Sequence, residues 1–254
     1  MRTIPRICGL ILLATMTACG GSGGDSPPPT TSASGTAEGI WQGRSSTTRT
    51  IRSVVREDGL YLVWYSPAGY IPLVAGLVQG TGQSVNGVFT SADARDFNLE
   101  GHGVLRSQID GTYVARQSLN GQITYDPVTV TTFTSTFDPA SETTMTLAEV
   151  AGTYEGQGGS VSVWFPATTH QTTVTISGQG VVTGHDTNGC AFHGQVTPHG
   201  STFDLMLQFA VPFCQYPDLI FSGAVLLDVS THRLLAGAVL DRSAAVVFEG
   251  DVHP

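Results

Sequence analysis

From Trp41 onward, apolar and polar residues alternate in short runs. Phe203, Leu205, Leu207 and Phe209 interleave with Asp204, Met206 and Gln208, the period-two pattern of a strand with one buried face. Val174 and Ile176 alternate with Thr173, Thr175 and Ser177 in the same way. The unbroken apolar run Leu60–Tyr65 suits a central strand covered on both faces. Asp58-Gly59, Asn86-Gly87, Asp110-Gly111, Asn120-Gly121 and Asn188-Gly189 each sit between strand-like segments. Such dipeptides supply the positive φ angles of a type I′ turn, so each predicts a hairpin. One stretch departs from this pattern. Thr146-Leu147-Ala148-Glu149 matches a capping box, and Gly152 follows too soon for more than a turn or two of helix. The predicted fold is all-β, with about 14–18 strands in two antiparallel barrels or sandwiches joined by a short helical connector.

The two strand-rich blocks begin alike. Gly39-Ile40-Trp41-Gln42-Gly43 and Gly152-Thr153-Tyr154-Glu155-Gly156 share the form Gly-x-aromatic-x-Gly, 113 residues apart. A repeated antiparallel unit of about a hundred residues accounts for both spacing and length. Gly-x-Trp at a first strand resembles lipocalin-like barrels and the two-barrel surface lipoproteins of Gram-negative bacteria. That resemblance implies architecture and carries no ligand residues.

The first 35 residues read as processing and tether. Arg2 and Arg6 precede an apolar run from Ile7 to Met16, too short for the roughly 20 residues that cross a bilayer and suited to a secretory signal. Met16-Thr17-Ala18-Cys19 resembles the lipobox of bacterial lipoproteins, with Met16 where Leu is usual. The resemblance implies a signal peptide over 1–18 and lipidation of Cys19. With Gly20 rather than Asp after the Cys, it also implies delivery to the outer membrane, facing periplasm or cell surface. The Gly-, Ser- and Pro-rich segment 19–35 has little to bury and reads as a flexible to semi-extended tether. The first β domain is assigned to 36–140 and the second to 141–254. Cys8 leaves with the signal and Cys19 carries lipid, so Cys190 and Cys214 remain. In an oxidising compartment two such cysteines pair, and their spacing matches no CxxC metal or redox motif. Cys190 follows the Asn188-Gly189 turn and Cys214 follows the 203–209 strand, so an antiparallel hairpin brings them together. The same geometry predicts that 215–218 is held outward.

Composition narrows the function classes. Charged residues make up only 12% of the chain, and all 11 basic residues are Arg. Without Lys there is no P-loop lysine, no Schiff base and no Ser-x-x-Lys hydrolase. A formal charge of −9 argues against nucleic acid, which calls for a basic surface. The halves differ: 36–140 holds 7 Arg against 9 acids, and 141–254 holds 2 Arg against 10 acids. This asymmetry fits separate partners or a freely varying solvated surface.

The candidate chemistry is sparse. His185, His193 and His199 cluster near Asp186 and Cys190, and opposed hairpin positions can bring His185 near His193 as weak metal candidates. Exposed hairpin residues explain them better. Asp186-Thr187-Asn188-Gly189 lacks the closing Glu of a calcium loop and reads as a turn. No Gly-x-Ser-x-Gly, His-Glu-x-x-His or dinucleotide fingerprint occurs. Asp93, Asp96 and Glu100 around Arg95 form either a carboxylate pair for glycoside hydrolysis or, the preferred reading, a loop in which Arg95 neutralises its neighbours. Trp41, Tyr61, Trp64, Tyr65 and Tyr70 read as core in preference to a carbohydrate or peptide platform.

No catalytic residue, metal or cofactor is therefore expected. The leading expectation is a non-enzymatic binding or envelope-structural module, held to the membrane by its lipid. The alternatives are a lipocalin-like carrier of an apolar ligand and, behind it, a periplasmic hydrolase with a dispersed site.

Overall fold

The computed structural model describes residues 35–70 and 74–253. The expected signal peptide, Cys19 and the expected tether up to residue 34 lie outside them. The described residues form nineteen strands, one 3-10 turn over Pro139–Glu142 and one four-residue helix, α1 (Leu147–Val150). The protein is all-β, as its alternating pattern predicts.

The first sheet runs through β1 (Gly39–Ser45), β2 (Thr50–Val55), β3 (Leu60–Tyr65), β4 (Gly76–Thr81), β5 (Gln83–Val85), β6 (Val88–Ser91), β7 (Arg95–Asn98), β8 (Gly103–Arg106), β9 (Gln108–Val114), β10 (Ser118–Thr124) and β11 (Val130–Phe137). Every pairing is antiparallel, and β11 returns to lie beside β1. Three arms of this meander are broken in two, at Gly82, at 92–94 and at Ser107. The fragments pair separately, β4 with β7 and β5 with β6, then β7 with β8 and β6 with β9. Counted as whole arms the sheet has eight, and it curls around its own core.

The second sheet is a closed barrel of eight strands in chain order: β12 (Gly152–Ser162), β13 (Thr168–Ile176), β14 (Val181–Asp186), β15 (Ala191–His199), β16 (Thr202–Phe209), β17 (Ile220–Asp228), β18 (Arg233–Leu240) and β19 (Ala244–Val252). Strand β19 closes on β12. The strand count exceeds the expected 14–18 because the three broken arms turn sixteen arms into nineteen strands.

The turns are partly as expected. Gly59, Gly87 and Gly189 have positive φ and reverse the chain. Asp110-Gly111 and Asn120-Gly121 do not. They lie inside β9 and β10 with Gly111 directly opposite Gly121, and the reversal between them occurs at 115–117, with Arg116 at φ 58°. A side chain on Gly121 would run into the Asp110 carbonyl and the Gly111 Cα, so these glycines serve close backbone approach. Helix α1 forms where the capping box predicts it: the Glu149 carboxylate accepts from the Thr146 backbone N–H at 2.7 Å, and Val150 is fully buried.

Each sheet has an inner core, and a third core lies between the sheets. In β3, Tyr61, Val63 and Tyr65 face inward, while Leu62 and Trp64 face out with Ile40, Leu77 and Phe97. These outer residues pack on Val161, Ala224, Leu226, Leu235, Ala245 and Val247 of the second barrel. Trp64 Nε1 donates to the Ala236 carbonyl across this seam at 3.2 Å. Strands covered on both faces carry unbroken apolar runs for this reason. Leu60–Tyr65 is one such strand, as predicted.

Candidate functional site

The first sheet encloses a cavity of about 460 Å³. Its depth is apolar, with Val55, Tyr61, Val78, Phe89, Ile109 and Leu119 on the wall. One end, where turns 46–49, 99–102 and 125–129 meet, is polar and includes Arg49, His102 and Asp126. Strand alternation places Asp96 and Asn98 of β7 on this wall while Phe97 between them faces the second barrel.

Asp96 is 3% exposed. Its Oδ1 accepts from the Tyr65 hydroxyl at 2.6 Å and its Oδ2 from the Tyr125 hydroxyl at 2.8 Å. Asn98 Nδ2 donates to the Tyr65 oxygen at 3.1 Å. The Asn98 Oδ1 accepts from the backbone N–H groups of Glu100 and His102, which fixes the amide's orientation. Burial pushes the Asp96 carboxyl above its usual range, against the opposing pull of both phenols and of Arg49. Burial, then the Asp96 charge, raises both phenols as well. Gly76 sits opposite Tyr65, and any side chain there would overlap the Tyr65 hydroxyl. Arg49 is held elsewhere: it pairs with Glu100 at 2.7 Å, donates to the Ser66 carbonyl at 2.9 Å and lies 5.2 Å over the Tyr65 ring.

The second barrel holds a cavity of about 380 Å³. Val174, Ile176, Val182, Leu205, Leu207 and Phe248 line it. Its polar residues, among them Ser160, His170, Asp186 and Asn188, gather at the end formed by turns 163–167 and 187–190 and the loop 210–219. Cys190 and Cys214 are bonded there with Cα atoms 4.6 Å apart, tying that loop to the β14–β15 turn. The loop is not held outward as expected. Tyr216 is 3% exposed and packs on Phe165, Phe209 and Phe221, and Gln215 accepts from Ser160 at 3.0 Å. Apolar burial of the Tyr216 ring outweighs solvation of the loop. Trp164, Val211, Phe213 and Ile220 remain more than half exposed around the same end.

Other candidate residues are dispersed. His185 faces Ala191 and His193 faces Thr183, so the two are not partners across the hairpin, and both are exposed. No cluster of three or more His, Cys, Asp or Glu suited to a metal occurs among the described residues. His199 instead reaches the other barrel, with Nε2 3.0 Å from Glu57 and Nδ1 3.1 Å from Asp204. The expected loop neutralised by Arg95 is also corrected. Arg95–Asn98 is strand β7, the Arg95 guanidinium bonds the Asp93 and Ala94 carbonyls, Asp93 pairs with Arg242 and Glu100 with Arg49. Pairing with β4 and β8 requires an extended chain, and that turns Asp96 inward. Trp41, Tyr61, Trp64 and Tyr65 are buried as core residues, but Tyr70 is 67% exposed.

No family model matches this chain, and no curated protein matches its sequence. Several solved structures are distantly similar, two of them as follows. One is a provisionally assigned outer membrane protein of Bacteroides fragilis NCTC 9343, at 15% identity and TM-score 0.27, covering 87% of this chain and 98% of that one. The other is a DUF3598-family protein of unknown function from Nostoc punctiforme PCC 73102, at 12% identity and TM-score 0.31, covering 85% and 96%. Neither likeness bears on ligand or activity.

Proposed function

We propose that this protein is a lipid-anchored, non-enzymatic carrier whose two β units each take up an apolar small molecule. The observation that carries the reading is the pair of cavities, about 460 and 380 Å³, with apolar walls and polar ends. Their size and lining fit small-molecule sites. The exposed apolar side chains at the second cavity's end offer an entry surface for a poorly soluble ligand. This reading places the carrier alternative ahead of a purely structural envelope module. The anchor rests on the lipobox-like sequence ending at Cys19, with the tether leaving the carrier free above an outer membrane.

Two measurements test this. Native mass spectrometry of protein released gently from membranes should show co-purified apolar ligand, and the emptied protein should take up the neutral fluorophore N-phenyl-1-naphthylamine. Absence of both overturns the carrier reading. Labelled palmitate should enter the wild-type protein and not Cys19→Ser, with the label in the outer-membrane fraction. Equal labelling of both removes the anchor.

A further inference from the structure

We infer that the first cavity takes a cationic amphiphile, an apolar chain bearing an ammonium group that pairs with the Asp96 carboxylate between Tyr65 and Tyr125. This inference rests on the carrier reading and names the ligand class of one of its two sites.

The argument starts from an imbalance of charge. Asp96 is almost fully buried on the cavity wall, yet no Arg or His forms an ion pair with it among the described residues. Arg49 is the cation whose charge acts on it, and Glu100, the Ser66 carbonyl and the Tyr65 ring already engage that guanidinium. An ionised carboxylate buried without a cation is costly unless something in the site compensates it. The two phenols compensate in part, donating one hydrogen bond to each oxygen. Each carboxylate oxygen can accept more than one bond, so acceptor capacity remains towards the cavity. The pocket's other acid, Asp126, is exposed at the rim and caps the backbone of Val128 and Thr129.

An ammonium group answers this arrangement. It supplies the missing charge together with donors for the free acceptor capacity of the carboxylate. The Tyr125 ring borders the same cavity and adds the attraction of a cation for an aromatic face. A carboxylate ligand would meet repulsion from Asp96, and an alcohol would gain a hydrogen bond without the charge. The second cavity has no buried charged side chain on its wall, so it should not share this preference.

The test uses decylamine, decanol and decanoate, below their micellar concentrations, titrated by calorimetry into the full chain at neutral pH. Decylamine should bind roughly tenfold or more tightly than decanol, the usual advantage of a charge-assisted hydrogen bond, with decanoate weakest. Asp96→Asn should bring decylamine down to the level of decanol while decanol binding persists. Persistence of two decanol equivalents per chain, one for each cavity, shows the first cavity intact. Asp126→Asn, at the exposed rim, should keep the full preference. The inference is overturned if wild-type protein binds decanol as tightly as decylamine, or if Asp126→Asn alone abolishes the preference. If none of the three probes binds, the carrier reading fails with it.

Discussion

Trp41 and Tyr154 stand at equivalent points of the two sheets, and each ties its first strand to the segment before it. Trp41 Nε1 donates to the Ala37 carbonyl at 2.9 Å, and the Tyr154 hydroxyl donates to the Val150 carbonyl at 3.0 Å. Both bonds reach back four residues, and both aromatics are almost wholly buried. Two residues further on, Gly43 and Gly156 lie against the backbone of the strand that closes each unit, β11 and β19, where a side chain would strike a carbonyl oxygen. The Gly-x-aromatic-x-Gly form thus has one mechanical role, used twice.

The buried bond of Tyr154 should be measurable. Tyr154→Phe should lower stability by about 1 kcal/mol, the usual net worth of such a bond. Trp41→Phe should cost more, because it also leaves space beside Phe137, whose ring lies 5.5 Å away. Denaturant unfolding checks both. Equal stability of Tyr154→Phe and wild type would remove the role assigned to the bond.

The seam between the sheets depends on the absence of a side chain at Gly237. A Cβ there would lie 2.9 Å from Trp64 Nε1 and 3.0 Å from Leu77 Cδ2. Gly237→Val should cost about 1–3 kcal/mol through overpacking. Gly178→Ala, which meets nothing within 4 Å, is the control. Comparable unfolding midpoints for the two variants would show that the seam yields to a larger residue.

Loss of the Cys190–Cys214 bond should release the 210–219 loop from the end of the second cavity. Cys190→Ala should lower stability by about 2–5 kcal/mol under oxidising conditions. Binding of N-phenyl-1-naphthylamine should weaken at the same time, because Tyr216 and Phe213 line that cavity. Thiol titration of the denatured, unreduced wild-type protein should find neither cysteine free. Two free thiols would contradict the bridge.

His199 links the two sheets through Glu57, in the β2–β3 turn, and Asp204 of β16. The hydrogen bond to Glu57 raises the imidazole above its ordinary value, desolvation opposes this, and the bond to Asp204 adds to the rise. A histidine raised in the folded state contributes stability fully below its unfolded pKa, about 6.5, and loses it as pH climbs through the higher folded value. The wild-type melting temperature should therefore fall relative to that of His199→Gln as pH rises from about 6 to 8.5. Below that window the gap should be constant until the carboxylates titrate. Parallel profiles across the window would remove the linkage. Arg56 also reaches Asp204, and its charge opposes protonation of His199.

Much of the architecture was legible because it depends on local rules. Alternation at 203–209 and 173–177, three of the five Asn-Gly or Asp-Gly turns and the capping box at Thr146 all report on neighbours a few residues apart. The run Leu60–Tyr65 announced a strand covered on both faces. The equally apolar stretches 224–227 and 244–248 carry the same signal for the opposite side of the seam. The misread turns at 110–111 and 120–121 look locally identical to true ones. Their glycines answer to each other across a strand pair, which a local reading does not contain.

By itself, then, the sequence determined the all-β class, the doubled unit, the helical connector and the cysteine pair, since each follows from periodicity, turn chemistry or counting. Only the tertiary structure decided where Asp96 points and what meets it. Tyr65 lies 31 residues before it and Tyr125 lies 29 after; the curl of the sheet brings them to one carboxylate. Tertiary packing likewise turned Tyr216 inward and sent His199 to Glu57, because burial and ion pairing across chain distances of this size are set by closure of the sheets and not by the residues beside them.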